Sequence, residues 1–183
     1  VFRRGLPLAR SLLVHRLRVE RVLEEPPGVV SVEIGGVRLD RLRARAGQFF
    51  SWRFLTRDRW WESHPFSLSA APDGHSLRIT VQEVGDGSRT LAGVRPGTRV
   101  LVEGPFGRLT ERPRTRPAVA YIGAGVGITP LRALAEGQDY APGAAMLVER
   151  YVDHPLFTRE VDVLSRERGL QVLRLPGHRR GPD

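Results

Sequence analysis

The stretch Ala118–Pro130, AVAYIGAGVGITP, decides the architecture of this chain. It opens on a short apolar run, Ala118 to Ile122, of the kind that forms a buried strand. Gly123-Ala124-Gly125-Val126-Gly127 follows at once. Pro130 then opens a predicted helix over 130–136, at the first-turn position where its missing N–H costs nothing. A strand that turns through glycines into a helix N-terminus lets backbone approach a pyrophosphate, because free N–H groups and the positive end of the helix dipole face that point. The spacing is not the plain G-x-G-x-x-G: in Gly125-Val126-Gly127-Ile128-Thr129-Pro130, proline stands where the third glycine would be. A tight strand–helix turn without a ligand also uses glycines, so the run by itself leaves both readings open. A P-loop is excluded, since G-x-x-x-x-G-K-[ST] is absent and the chain has no Lys.

Toward the C-terminus the same alternation continues. Ala144 to Val148 reads as a buried strand. Phe157, Val161 and Leu164 share one helical face at i, i+4 and i+7, and Gly169 stops that helix. Leu170 to Leu175 reads as a third strand. Strand, helix, strand, helix, strand makes an α/β unit with a parallel sheet. Only about three strands fit before Asp183, fewer than such a nucleotide-binding sheet ordinarily uses, so this one is expected to be cut short.

Toward the N-terminus the pattern changes to short strands with frequent turns. Strand-like spacing begins at Leu17, Val19 and Val22, and Pro26-Pro27-Gly28 is a turn. Val30, Val32 and Ile34 alternate at period two, predicting a half-buried strand, and Gly35-Gly36 reads as a hairpin-type turn. Further strands are predicted over 47–55, 63–70, 77–82 and 98–103. Pro72-Asp73-Gly74 is a turn with a mechanism: Pro presets φ, Asp bonds locally and Gly accepts positive φ. Residues 86–92 read as one or two helical turns. Residues 15–108 therefore read as an antiparallel barrel or sandwich.

The 183 residues, 40% hydrophobic and 27% charged, allow one domain or two small ones sharing an interface. Zero Cys excludes disulfides, thiolate metal sites, iron–sulfur clusters and Cys nucleophiles. The net charge is +9 and every one of the 29 basic residues is Arg. These are spread along the sequence with little aromatic interleaving, so no nucleic-acid module is expected. No apolar run approaches the ~20 residues of a membrane span. Residues 1–21 carry six Arg against one acid, Glu20, the bias of a cytoplasmic juxtamembrane segment.

Two more motifs bear on chemistry. His64-Pro65-Phe66-Ser67, at the start of a strand, offers an aromatic face, a hydroxyl and a ring nitrogen within four residues. Phe66 as plain core with Ser67 as filler is the bland alternative. Gly85-Asp86-Gly87-Ser88 follows a strand and suits either an ordinary loop or a phosphate held on backbone N–H groups, with Ser88 or Asp86 as a cap.

In sequence order, His64-Pro65-Phe66-Ser67-Leu68-Ser69, Gly85-Asp86-Gly87-Ser88, Gly104-Pro105-Phe106-Gly107 and Gly125-Val126-Gly127-Ile128-Thr129-Pro130 resemble the ferredoxin–NADP reductase superfamily over about residues 15–175. The HPFS form is most similar to its ferric reductase and NADPH oxidase branch. The resemblance implies a flavin-binding antiparallel β-barrel followed by a parallel-sheet NAD(P)-binding α/β unit. The expected division is a basic juxtamembrane-like lead-in over 1–14, an FAD-binding barrel over 15–112 and a partial NAD(P)-binding unit over 117–183.

By the same resemblance, Phe66 packs on the isoalloxazine, Ser67 bonds near its reactive nitrogen, and His64, beside Pro65, faces the flavin phosphates. Gly85, Gly87 and Ser88 meet the pyrophosphate. Gly123, Gly125, Gly127, Thr129 and Pro130 line the pyridine-nucleotide site, and Arg150 reaches the adenosine ribose or its 2′-phosphate. No general acid or base and no metal are expected. The implied function is an FAD-dependent oxidoreductase passing electrons from NADPH or NADH to a haem, ferric iron or an iron–sulfur partner. The implied setting is the cytoplasmic face of a membrane, reached through a region preceding residue 1. A soluble reductase serving a ferredoxin or dioxygenase is the alternative enzyme; a flavin-free barrel that only docks a partner is the alternative outside enzymes, and FAD uptake separates the two classes.

Three departures from the family pattern stand out. Gln82 occupies the place of a cation that neutralises the flavin phosphates, leaving Arg78 or Arg89 as expected substitutes. The family's Cys-Gly-Pro strand beside the nicotinamide is not in this sequence. No apolar spans precede residue 1 in it either.

Overall fold

The computed structural model describes residues 11–25, 28–57, 60–82, 91 and 94–177. Six strands form its first part: β1 (Arg18–Glu24), β2 (Val29–Gly35), β3 (Phe49–Phe54), β4 (His64–Ser67), β5 (Ser76–Gln82) and β6 (Val100–Phe106). They pair antiparallel as β1-β2-β5 and β4-β3-β6. Single bridges, Arg18 to Arg99 and Leu68 to Ile79, join the two sheets at both sides and close them into a barrel. Inward-facing side chains fill it: Phe50, Trp52, Val32, Ile34, Leu68 and Ile79 are buried. Trp52 also spends its one donor well, its Nε1–H donating to the Phe66 carbonyl at 3.0 Å.

The second part begins at β7 (Val119–Ala124), followed by a 3-10 turn, Gly125–Ile128, that runs straight into α1 (Thr129–Gly137). Then come β8 (Ala145–Tyr151), α2 (Thr158–Arg168) and β9 (Gln171–Pro176), the strands parallel in the order β7-β8-β9. Gly169, at φ 67°, takes the left-handed position that ends α2 and donates to the Ser165 carbonyl. Arg168 finishes α1 from outside, donating to the Ala135, Glu136 and Gln138 carbonyls and lying 4.7 Å above the Tyr140 ring. Both helices cover one face of the sheet, where Tyr121, Ile128, Leu134, Leu147, Phe157 and Val161 form a second core. The other face leaves Ile122, Leu173 and Leu175 exposed, although parallel sheets are normally covered on both faces.

Two local expectations need correction. β2 is not half-buried: Val29 and Ser31 are buried along with Val30, Val32 and Ile34. The reason is tertiary. Val29, with Ala46, joins the second core, and the Ser31 hydroxyl is satisfied at 2.7 Å by both Glu25 and Thr80. Nor do Gly35-Gly36 make a hairpin. β2 pairs with β1 and β5, and the chain leaves it through a 3-10 turn at Leu39–Leu42 to enter the other sheet at β3. The helical turns expected over 86–92 fall almost wholly outside the described residues.

Candidate functional site

β4 presents the His64-Pro65-Phe66-Ser67 motif along an edge of its sheet, paired on one side with β3. Phe66 is half-buried; its ring leans on the barrel core and is stacked with the His64 ring at 5.9 Å and 22°. The ring is therefore neither swallowed by the core nor loose. His64 lies 3.4 Å from the Glu62 carboxylate, Pro65 is exposed, and the half-buried Ser67 hydroxyl has no hydrogen-bond partner among the described residues. An aromatic plane beside an uncommitted hydroxyl can take a flat heteroaromatic ring with polar edges. Gly85, Gly87 and Ser88, expected at the pyrophosphate, lie outside the described residues.

The strand–turn–helix element of the α/β part divides the glycines by role. A Cβ on Gly123 would lie 2.9 Å from Leu131 and 3.2 Å from the Gly127 carbonyl, so packing within the chain requires that glycine. A Cβ on Gly125 or Gly127 would meet nothing within 4 Å. Gly125 has a conformational reason, φ 51°; for Gly127 neither a positive φ nor a close neighbour requires glycine. An open cradle over bare backbone fits a phosphate group coming from outside. Thr129 is buried and its hydroxyl donates to the Val126 carbonyl at 2.6 Å, so it shapes the turn from inside. Pro130 occupies the first turn of α1. Arg150 is exposed at the β8 end, in register with Ala124 of β7, and so flanks the glycine turn.

The two halves meet in a cluster that the sequence did not announce. Arg78 of β5 is buried and holds Glu160 of α2 through two hydrogen bonds, 2.7 and 2.8 Å. It also donates to the Ser69 hydroxyl and carbonyl, and its guanidinium lies 5.4 Å from the Phe157 ring. Arg132 of α1 is buried as well. It donates to the same Ser69 carbonyl at 3.0 Å, pairs with Glu136 at 2.8 Å, and sets its Nε 2.8 Å from Glu160. Glu136 accepts from the Ala71 N–H. Burial opposes ionisation of Glu160, but the Arg78 hydrogen bond and the charges of Arg132 and Arg78 prevail, and its carboxyl is held below the usual range. Burial likewise lowers Arg132, partly offset by Glu136 and Glu160. Arg78 is thus committed to this cluster, which corrects its expected role as substitute cation at the flavin phosphates. The one trace in the sequence was the i, i+4 pair Arg132–Glu136. Gln82 sits exposed at the end of β5; Arg89 is outside the described residues.

The arginines spread along the sequence are not all spread in space. Arg43, Arg45, Arg108 and Arg112 line one groove of about 1010 Å³ beside Gln48 and Gly107. Arg45 is paired with Glu111. Among the described residues no cluster of His, Asp and Glu is suited to a metal ion, and no helix is long and apolar enough to cross a membrane.

Residues 26–110 match the family model described as FAD-binding domain. The chain is 31% identical over 108 residues to ferredoxin–NADP reductase B of Sorangium cellulosum, covering 55% of this chain and 44% of that protein. It is 32% identical over 144 residues to NADPH oxidase 1 of Mus musculus, covering 73% of this chain and 22% of that one. This chain thus spans less than half the length of either relative. Among solved structures, the flavohem-like FAD/NAD-binding domain of nitric oxide dioxygenase from Vibrio cholerae superposes with a TM-score of 0.73 at 22% identity, covering 92% of this chain and 76% of that domain. Family model, relatives and fold point the same way: residues 26–110 match an FAD-binding domain, and the chain is similar in sequence and in fold to proteins of the ferredoxin–NADP reductase type.

Proposed function

We propose that this chain is the flavin- and nucleotide-binding module of an FAD-dependent oxidoreductase that takes electrons from NADPH or NADH and delivers them singly to a haem, ferric iron or iron–sulfur acceptor. The observation that carries it is the meeting of two motif-bearing elements. β4, with Phe66 and the uncommitted Ser67 hydroxyl, runs into Ser69, and Ser69 is hydrogen-bonded to α1, the helix that follows the open Gly125–Gly127 turn. Bound FAD would supply the chemistry that converts a two-electron donor into single-electron steps.

The chain's own residues bind and orient. Phe66 and Ser67 hold the ring system, His64, beside Pro65, faces the flavin phosphates, and Gly85, Gly87 and Ser88 hold the pyrophosphate. Gly125, Gly127 and the α1 N-terminus take the dinucleotide phosphates, with Gly123, Thr129 and Pro130 shaping that turn, and Arg150 takes the adenosine ribose or its 2′-phosphate. The division proposed with it is a lead-in over 1–14, the flavin barrel over 15–112 and the nucleotide unit over 117–183. The ferric reductase or NADPH oxidase type, with a membrane haem partner and a cytoplasmic-face location, is the finer reading. The relative of that type and the six arginines in residues 1–21 support it. The ferredoxin–NADP reductase relative keeps the soluble type as the second reading.

The test is titration of FAD and riboflavin into the apo chain by fluorescence, for the parent and for Ser88→Ala. FAD weakened with riboflavin unchanged is the expected result, because only FAD carries a pyrophosphate. A parent that takes up neither flavin overturns the proposal. Flavin uptake followed by anaerobic reduction with NADPH and NADH then identifies the donor.

A further inference from the structure

We infer that Arg78, Arg132, Glu136 and Glu160 are positioning residues that lock the α/β unit against the barrel at one angle, through the Ser69 carbonyl at the exit of the flavin strand; for its consequence in electron transfer this rests on the proposed function.

The residues come from three elements, β5, α1 and α2, and converge on one acceptor. Arg78 and Arg132 each donate to the Ser69 carbonyl at 3.0 Å. The same two arginines share Glu160, one from the barrel side and one from the helix side. Glu136 closes the ring by pairing with Arg132 and accepting from Ala71 N–H, two residues beyond Ser69. Two cations thus face two carboxylates, and each charge touches both halves of the molecule directly or at one remove. An apolar interface resists separation but tolerates sliding, because burial is non-directional. A planar guanidinium fork on a carboxylate tolerates neither, because both of its hydrogen bonds demand alignment. Interfaces between units of one chain are otherwise expected to permit relative motion. Here Val29 and Ala46 supply the apolar contact, and the charged ring supplies the direction.

The geometry also explains why the lock is attached at Ser69 rather than elsewhere on the barrel. Ser69 lies two residues beyond Ser67, and Arg132 lies in the first turn of α1, just past the glycine turn. The ring therefore ties the strand proposed to hold the flavin to the helix proposed to hold the nucleotide. Transfer between two stacked rings depends steeply on their placement, about 100-fold for a displacement near 1 Å.

The experiment uses the absence of cysteine from the chain. Val37→Cys on the barrel and Leu173→Cys on β9, both exposed, carry spin labels, and the distance distribution between them is measured by pulsed electron resonance without any flavin or nucleotide. The parent is compared with Glu160→Gln, which keeps size but removes the shared charge, and with Glu136→Gln, which leaves the Arg78–Glu160 fork intact. The expected result is a narrow parent distribution, one at least about twofold wider in Glu160→Gln, and an intermediate one in Glu136→Gln. FAD affinity should stay within about twofold, since the barrel is untouched. An unchanged distribution in Glu160→Gln overturns the lock. If that variant does not fold, Glu136→Gln decides, and an unchanged distribution there overturns it equally. A parent that binds no FAD defeats the functional reading and leaves the distance result standing.

Discussion

Arg132 and Ser69 are joined by a 3.0 Å hydrogen bond from guanidinium to carbonyl, a contact between the helix after the glycine turn and the exit of the strand that carries Phe66 and Ser67. They are 63 positions apart in sequence, one in α1 and the other in the bend after β4, yet the bond is buried. An arginine spent on a main-chain carbonyl at such a place leaves the relative placement of two motifs dependent on a side chain that belongs to neither.

Phe66→Ala is expected to weaken FAD binding by about 1–3 kcal/mol through lost stacking and lost apolar contact. Its ring is half-buried and stacked with His64, so the fold survives the truncation better than it would at Trp52. Titration by flavin fluorescence quenching measures it. Equal dissociation constants would return Phe66 to an ordinary packing role.

The two glycines at either end of the turn should respond oppositely. Gly123→Ala places a methyl 2.9 Å from Leu131 and should cost about 1–3 kcal/mol in urea unfolding. Gly127→Ala meets no protein atom and should leave stability unchanged or raise it by about 0.4–1 kcal/mol. It should nonetheless weaken binding of 2′,5′-ADP or NADPH, because the new methyl stands where a phosphate would approach. Undiminished nucleotide binding by Gly127→Ala would make the open cradle incidental.

Arg78→Lys separates the two roles considered for this side chain. Lys keeps the charge but cannot fork onto Glu160, and about 1.5–3 kcal/mol of stability should be lost, the range for hydrogen bonds to charged groups. The ratio of FAD to riboflavin affinity should not change. A selective loss of FAD would put Arg78 back at the flavin phosphates.

Glu149 gives a pH signature opposite in sign to that of Glu160. It is fully buried in β8, where burial pushes its carboxyl up against the opposing influence of the Leu156 N–H at 2.7 Å and the Arg174 charge. Between the ordinary carboxyl value of 4.5 and the higher folded value, the native state holds more protons than the unfolded one. Stability therefore falls as pH rises through that window. Glu149→Gln should abolish this part of the slope while its carbonyl still accepts from Leu156. Glu160, facing Arg78 from β5 and Arg132 and Glu136 from α1, is held low. Its contribution is present above the ordinary value and disappears as pH falls below it. Urea unfolding of parent, Glu149→Gln and Glu160→Gln, followed from about pH 8 down to well below the ordinary carboxyl value, tests both signs.

Much of this molecule was determined by the sequence itself. Strand–glycine–helix order from Ala118 to Pro130 and the αL stop at Gly169 are local signals, and each appears in the structure where its residues stand. Val161 and Leu164 share the buried side of α2 as read, but Phe157, read on the same helical face, stands just before the helix at a left-handed φ of 54° and reaches that core from its N-cap. Local periodicity reports which face of an element is apolar, because that face must find some core. It does not report which core. Hence β2, read as half-buried from Val30, Val32 and Ile34, proved buried on both sides. The second cover came from across the fold, where a hydroxyl such as Ser31 can be satisfied by Glu25 and Thr80. Gly35-Gly36 read as a hairpin because the turn chemistry fits. Strand pairing is chosen by the barrel's closure, and the next strand went to the other sheet. Only the tertiary structure could assign Arg78, Arg132 and Glu160. A charged residue carries no periodic signal of its own, and its partner is set by proximity in space: Arg78 and Glu160 are 82 positions apart in sequence and 2.7 Å apart in the fold.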